Sequence, residues 1–351
     1  MLRVFLLVLA VALIAQTYRV INDSGMLRSL EMLDYGQCEK LTGPVGAEDI
    51  TIDRDLGIAY IGADDRRAYL LHGNMDEAAN GDLWRLDLNQ SGAMPEPLTY
   101  HIDGPFHPHG IALHAQDGVR ELYVLNHLSA TEHEVDVFTF VDPTTLELRA
   151  RHTSDRMISP NDLAVVSKDR FFFTNDHGYP RHTVMEKAED FLGLPLASVV
   201  YFDGEEGYTV IEGLRYPNGI AISSDEQALY VAETTGRKLK RFVKGDSLFD
   251  WTQDESIDLE SGLDNLEWGP DGDLLTAAHP KLFQFMGHMQ DAGKHSPSEV
   301  IRIDVDASPM QARTIMLDSG EGISGSSVAT LFDGELLVGS VFEPHILRCR
   351  P

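Results

Sequence analysis

A hairpin pattern occurs six times along the chain and restricts the folds that the chain can adopt. The clearest copy, "PNGIAISSDEQALYVAE" from Pro217, has a polar start, a short apolar strand, a polar turn and a second apolar strand. Weaker copies begin at Ala47, Pro108, Pro160, Leu263 and Gly325. We call the second residue of each copy its anchor, and the anchors are Glu48, His109, Asn161, Asn218, Asp264 and Ser326.

The distance between copies predicts the architecture. The anchors are 46 to 62 residues apart, which leaves room for two more strands in each repeat. Candidate third strands are the segments 82–88, 135–142, 199–204, 238–244 and 299–306. Six units of four strands predict an all-β fold, a six-bladed β-propeller forming one domain over residues 30–351. The main predicted helix is 184–198, an insert that could cover one mouth of the ring.

Two cysteines, Cys38 and Cys349, stand near the two ends of the predicted domain. A disulfide between them would close the ring and add on the order of 4 to 5 kcal/mol of stability by restricting the unfolded chain. A linear solenoid or a pair of sandwiches would not call for such a bond. Two unconnected buried thiols are the alternative interpretation of the pair.

The N-terminal segment 1–16 is apolar and carries one cation, Arg3, a pattern typical of a signal peptide or a retained hydrophobic anchor. We therefore expect export to a secreted, periplasmic or membrane-associated location. The formal net charge of −28 disfavours a nucleic acid partner and favours cations. Asn89 begins a glycosylation sequon, which matters only in a host that glycosylates.

The chemistry of the anchors predicts metal binding. The innermost strand of each blade runs along the central channel, so the anchors should converge on the axis. Carboxylate and amide oxygens suit Ca²⁺, although any one such residue could simply form a turn. The predicted ligands of a catalytic calcium are Glu48, Asn161, Asn218, Asp264 and Asn265. Asp49 and Asp162, each one residue deeper than its anchor, would hold a second calcium, with the carbonyl of Ile111 as a further ligand.

These motifs resemble those of the paraoxonases, a family of six-bladed, calcium-dependent lactonases and arylesterases. The segments "GAEDI", "HPHGI", "PNDL", "TNDH", "PNGI", "LDN", "AAHP" and "GSSVA" occur in the family's order. The resemblance runs from about residue 30 to the C-terminus. It implies two Ca²⁺ ions on the two ligand sets above, the Cys38–Cys349 disulfide, lactones and aryl esters as substrates, and a leader that can stay attached to a membrane. Organophosphate hydrolysis is expected as a side activity only. The loops 62–80 and 181–198 would shape substrate choice.

The resemblance also points to a histidine dyad, His109 and His127. His109 is an axial anchor and is the natural general base for activating water, while His127 ends the same hairpin and could orient it. His177 and His279 end the second strands of their copies and are candidates for lining the pocket or for structural roles. The chain has no G-x-S-x-G elbow and no H-E-x-x-H motif, which favours a hydrolysis by metal and water.

Three other propellers compete with this interpretation. A sugar-acid lactonase of the gluconolactonase type would have one axial metal, so Asp49 with Asp162 and the terminal cysteines favour the two-ion family. A propeller that binds a partner without turnover would saturate its structural calcium, whereas five side-chain ligands leave the ion open. The strictosidine synthase-like propellers lack the axial ligand set.

Overall fold

The computed structural model, which describes residues 1–70, 75 and 78–351, is a ring of six four-stranded antiparallel sheets. The predicted six-bladed β-propeller is confirmed. Blade 1 contains β2 (Ala47–Asp53), β3 (Ile58–Ala63), β4 (Asp82–Asp87) and β5 (Glu96–Pro97). Blade 2 contains β6 (Pro108–Gln116), β7 (Val119–His127), β8 (His133–Asp142) and β9 (Thr145–His152). Blade 3 contains β10 (Pro160–Ser167), β11 (Arg170–Asn175), β12 (Ala197–Phe202) and β13 (Gly207–Leu214).

The remaining blades repeat the arrangement. Blade 4 contains β14 (Pro217–Ile222), β15 (Ala228–Glu233), β16 (Lys238–Lys244) and β17 (Trp251–Asp258). Blade 5 contains β18 (Gly262–Trp268), β19 (Leu274–His279), β20 (Ser298–Asp304) and β21 (Gln311–Asp318). Blade 6 contains β22 (Ser326–Phe332), β23 (Glu335–Ser340), β24 (His345–Arg350) and β1 (Gln37–Thr42).

Blade 6 takes strands from both ends of the chain. β1 pairs antiparallel with β24, and the register sets Cys38 opposite Cys349. The two cysteines form a disulfide, as predicted. The ring is therefore closed twice, by backbone hydrogen bonds and by a covalent bond.

The apolar core consists of six clusters, each shared by two neighbouring blades. The cluster between blades 3 and 4, for example, joins Phe172 and Val199 to Leu229 and Val231. Consecutive buried residues of one strand serve opposite faces: Phe171 and Phe173 of β11 pack toward blade 2, and Phe172 packs toward blade 4. Each blade thus depends on two others for its burial.

The helices are α1 (Leu2–Asp23), α2 (Arg66–Leu70), α3 (Val184–Leu192) and α4 (Leu282–Gln290). The predicted helix 184–198 forms only as far as Leu192, because Gly193 adopts a left-handed conformation with φ of 58° and Ala197 already begins β12. The sequence did not predict α4. Residues 71–74 and 76–77, within the loop 62–80, lie outside the described residues.

Helix α1 is longer than the apolar leader 1–16 and continues to Asp23. By length and composition it is able to cross a membrane. Its last turn contacts the propeller, where Asp23 pairs with Arg215 at 3.0 Å and Arg237 donates to the Asn22 carbonyl at 2.7 Å. The Gln16 side chain donates to the Phe191 carbonyl at the end of α3. Such an apolar N-terminal helix is compatible with export or membrane association.

Each innermost strand breaks its pairing register where it enters the channel. The break falls on Glu48 in β2, after Pro108 in β6, after Pro160 in β10, after Pro217 in β14 and after Leu263 in β18. In β22 the anchor Ser326 is itself paired, and Ser327 takes the unpaired position instead. A β-bulge frees a residue from the ladder and redirects its side chain. The bulges explain how the anchor side chains of blades 1 to 5, and Ser327 in blade 6, are freed from the ladder.

Candidate metal centre and histidine chain

The bulged residues of blades 1, 5 and 6 meet at Glu48. The Asn265 amide donates to both the carbonyl and Oε1 of Glu48, at 3.0 Å each, and Ser327 Oγ donates to the same carbonyl at 2.6 Å. His109 Nε2 lies 3.6 Å from Glu48 Oε1. The inner strands of four blades are therefore in contact around one buried carboxylate.

Buried oxygens without partners are concentrated among the predicted calcium ligands. Within the described part of the chain, five buried side-chain oxygens of the predicted catalytic calcium ligands have no hydrogen-bond partner. They are Glu48 Oε2, Asn161 Oδ1, Asn218 Oδ1, Asp264 Oδ1 and Asn265 Oδ1. Buried oxygens normally find a donor, so five orphans on converging strands fit a cation. The described residues hold no metal-binding group of three or more His, Cys, Asp or Glu side chains, which makes the three amides essential to the set.

Neighbouring side chains orient these ligands. His279 Nε2 lies 2.8 Å from Asp264 Oδ2, and its ring stacks on Phe285. The Asn161 amide donates to Asp176 Oδ2 at 3.2 Å, which leaves Oδ1 as its free atom. Ligands held in this way by a second layer of hydrogen bonds are typical of metal sites. His279 therefore contacts Asp264, one of the predicted ligands.

The two anchor carboxylates titrate differently. Burial alone would raise the pKa of Glu48, but its neighbours His109, Arg66 and Asn265 more than offset burial and lower that pKa. Burial raises the pKa of Asp264, against the opposing hydrogen bond from His279. Of these two carboxylates, Asp264 is therefore the one that lacks a compensating charge.

Asp49 and Asp162 form a deeper pair with equivalent contacts. Asp49 accepts from the Ile50 and Ile111 amides at 2.9 and 2.7 Å, and Asp162 accepts from the Leu163 and Ile220 amides at 2.7 and 2.9 Å. Burial raises the pKa of both carboxyls well above the usual range, and the charge of Asp162 adds to the effect on Asp49. Two buried carboxylates in this state lack a counter-charge that a cation would supply. The Ile111 amide contacts Asp49, while the role of its carbonyl as a ligand stays a prediction.

A cavity of about 190 Å³ lies beside this pair and is lined by Asp49, Thr51, Asp162 and Glu267, among others. Burial raises the pKa of Glu267 to about 8. Glu267 was not predicted from the sequence, although its position two residues after Asn265 on β18 was a usable signal, since strand side chains alternate.

The predicted dyad is in contact, and it continues to a third histidine. His109 Nδ1 lies 2.7 Å from His127 Nε2, and His127 Nδ1 lies 2.8 Å from His133 Nδ1. All three rings are buried. His133, which faces His127 across the β7–β8 hairpin, was not predicted from the sequence.

His177 lies in a charged network next to the site. Its Nδ1 is 2.7 Å from Asp176 and its Nε2 is 3.1 Å from Asp190. Burial would lower its pKa, but these two carboxylates raise it to about 10. Arg181 also pairs with Asp176, whose pKa is well below its usual range despite burial. His177 is therefore a buried cation, and Asp176 links it to Asn161.

Comparison with known proteins identifies the family to which this fold belongs. The family model described as Arylesterase matches residues 46–350. The chain is 31% identical to serum paraoxonase/arylesterase 2 of Gallus gallus over 92% of this chain and 91% of that protein. It is 29% identical to serum paraoxonase/arylesterase 1 of Homo sapiens, with 90% and 89% covered, and 28% identical to serum paraoxonase/lactonase 3 of Oryctolagus cuniculus, with 92% and 91% covered.

The chain therefore belongs to the arylesterase family. Membership makes it an enzyme of the ester hydrolase class. Solved propellers share only the fold: a gluconolactonase of Xanthomonas campestris has a TM-score of 0.51 at 16% identity, with 90% of each chain covered. A calcium-binding regucalcin of Agrobacterium tumefaciens has a TM-score of 0.52 at 15% identity, with 88% of this chain and 92% of that chain covered.

Proposed function

We propose that the protein is a calcium-dependent hydrolase of lactones and aryl esters, with organophosphate hydrolysis as a side activity. The observation that carries the proposal is the set of five unpartnered, buried oxygens beside His109. The names of the relatives, which include both arylesterases and a lactonase, support the choice of substrates.

Two calcium ions are proposed. The catalytic ion would be held by Glu48, Asn161, Asn218, Asp264 and Asn265. The structural ion would be held by Asp49, Asp162 and the Ile111 carbonyl. Oxygen ligands of mixed charge suit Ca²⁺ better than Zn²⁺, which favours nitrogen and sulfur. Calcium bound in the first site would polarise the carbonyl of an ester or lactone and stabilise the charge that develops on its oxygen.

His109 is the proposed general base. Its Nδ1 is held by His127, so its Nε2, which lies on the Glu48 side of the ring, is the nitrogen that can take a proton from the attacking water. The neighbouring Glu48 carboxylate would stabilise the ring while it is positively charged. The same nitrogen would then return the proton to the leaving alkoxide or phenoxide. His127 acts by holding His109 in place.

The proposed location is outside the cytoplasm. Helix α1 would be either a signal that is removed or an anchor that stays attached to a membrane. The proposed substrate is a small molecule, and the acidic surface disfavours nucleic acid as a partner.

The deciding experiment measures hydrolysis of phenyl acetate, aliphatic lactones and gluconolactone by the purified protein. Activity is measured as purified, after chelation, and after adding back calcium or zinc. We expect activity to disappear on chelation and to return with calcium only, and we expect calorimetry to find two calcium ions per chain.

Each other outcome has a defined meaning. A strong preference for gluconolactone would favour the sugar-lactone alternative. Activity that survives complete removal of the metal would contradict the calcium mechanism. Folded protein that binds calcium but hydrolyses no substrate of the panel would favour a propeller that only binds its ligand.

A further inference from the structure

His133, the third member of the hydrogen-bonded row His109–His127–His133, has no part in the mechanism proposed above. Its position suggests a role. His133 Nδ1 lies 2.8 Å from His127 Nδ1, and its side chain is 7% exposed. Its other nitrogen, Nε2, has no hydrogen-bond partner among the described residues, although the main chain of Ile158 is close enough to favour a proton on the ring.

Counting protons limits what the three rings can do. A neutral imidazole has one N–H and one lone pair, and each nitrogen–nitrogen hydrogen bond needs one proton. If His127 accepts from His109 Nδ1, it must donate from its own Nδ1 to His133. In that arrangement His109 Nε2 has a free lone pair. In the reverse arrangement the proton of His109 is on Nε2, and that nitrogen cannot accept another.

We propose that His133 is a positioning residue that accepts a hydrogen bond from His127 Nδ1 and so selects the tautomer in which His109 Nε2 is free to accept a proton. The effect of His133 on catalysis rests on the proposed function, whereas the arrangement of protons on the three rings does not. His133 would carry its own proton on Nε2, facing the Ile158 main chain.

The surroundings favour positioning over proton relay. Burial lowers the pKa of His127 well below its usual value, and burial with the nearby Arg181 charge lowers that of His133 to about 4. A positive charge is therefore unfavourable on His127 and on His133, whereas His109 has the Glu48 carboxylate beside it.

The first test observes the tautomers directly. Long-range ¹H–¹⁵N NMR of histidine-labelled protein should show Nδ1–H at both His109 and His127 and Nε2–H at His133. The replacement His133→Leu should leave His127 as a mixture of tautomers. A mixture in the wild type, or an unchanged His127 signal in His133→Leu, would overturn the proposal. The wild-type spectrum alone decides the matter if His133→Leu does not fold.

The second test measures kinetics on the best substrate of the panel. We expect His133→Leu to lower kcat by about tenfold to a hundredfold, the usual effect of removing an orienting group, with little change in KM. His133→Asn should keep most of the activity, because its amide oxygen can accept the His127 proton. His152→Asn is the matched control, since His152 is in the same blade but bonds Asp169.

Equal losses in His133→Leu and His133→Asn, or wild-type kcat in His133→Leu, would overturn the role of the hydrogen bond. A wild type that hydrolyses nothing would contradict the proposed function, and the tautomers would still decide this inference. The two failures are therefore distinguishable.

Discussion

The main-chain carbonyl and the side-chain oxygen of Asn218 have different roles. Its carbonyl accepts a hydrogen bond from Thr174 Oγ1 at 2.7 Å, and its side-chain Oδ1 is buried without a partner in the described chain. The main-chain contact does not depend on the side chain. We therefore predict that Asn218→Ala folds normally, binds calcium at least about tenfold more weakly, as for losses around other metal sites, and loses turnover. Calorimetry and circular dichroism would measure the two properties.

Asn126 provides the control for Asn218. It is equally buried, but its side chain bonds the His107 amide and the Asp136 carboxylate. Asn126→Ala should lower the unfolding temperature while calcium affinity stays the same. Calcium binding of wild-type strength in Asn218→Ala would remove that residue from the ligand set.

His177 should make stability depend on pH. Its pKa is about 10 in the folded protein, and about 6.5 when unfolded. Between these values the folded state binds more protons, so the unfolding free energy should fall as pH rises from about 6.5 to 10, by at most about 1.4 kcal/mol per pH unit. The contribution is fully present below pH 6.5.

Urea unfolding of the wild type and His177→Gln at pH 7, 8.5 and 10 would test this. The variant should lack the decline, and Asp190→Asn should show a smaller one, because Asp176 remains. A wild type whose stability does not change over this range would show that His177 is not a buried cation.

The polar residues of the site were predictable where the repeat gave them a position. Glu48, Asn161, Asn218 and Asp264 share one phase of the pattern, so their convergence could be inferred. His133 and Glu267 have no counterparts in the other repeats. Their contacts depend on hairpin register and strand rotation, although the six-residue spacing from His127 to His133 was a clue to a cross-strand pair.

At the scale of elements, the bulges need glycine where two inner strands nearly touch. A Cβ on Gly219 would lie 2.5 Å from the Leu266 amide and 2.6 Å from the Asp264 carbonyl. We predict that Gly219→Ala pushes β14 away from β18, lowers stability by about 1 to 3 kcal/mol and weakens calcium binding. Denaturant unfolding and calorimetry would measure both effects.

Gly287 in α4 is the matched control for Gly219. The nearest atom to its added Cβ is Lys294 Cδ at 3.6 Å. Gly287→Ala should be neutral or stabilising by about 0.5 to 1 kcal/mol, because alanine is the better helix residue. If both alanine variants behaved alike, the close approach at Gly219 would have no structural importance.

The strands were more predictable than the helices. Every predicted hairpin and third strand forms, since each hairpin has its own apolar strands and polar turn. Helix α4 has no side-chain hydrogen bond at its N-cap and contains Gly287. It is stabilised by contacts such as the stacking of Phe285 on His279, which a local pattern does not reveal.

At the scale of the whole molecule, stability depends on a closed circle of interfaces between blades. Breaking the Cys38–Cys349 bond leaves β1 attached by hydrogen bonds alone. We predict that Cys38→Ser loses on the order of 4 to 5 kcal/mol of unfolding free energy and roughly 10 °C of unfolding temperature. Calorimetry would measure the unfolding temperature.

The double variant Cys38→Ser/Cys349→Ser is the control for this prediction. It breaks the same bond, so it should lose no more stability than the single variant. An unfolding temperature equal to that of the wild type would show that the hydrogen bonds of β1 suffice.

The pairing of β1 with β24 also determines how long β1 remains unpaired while the protein is synthesised. The cysteines on these strands are 311 residues apart, so the first strand to be synthesised is the last to find its partner. At ~5 to 20 residues per second, β1 waits roughly 15 to 60 seconds, during which five blades can form without it. An unpaired strand is prone to aggregation, so we expect β1 to be a site of risk until β24 has been synthesised.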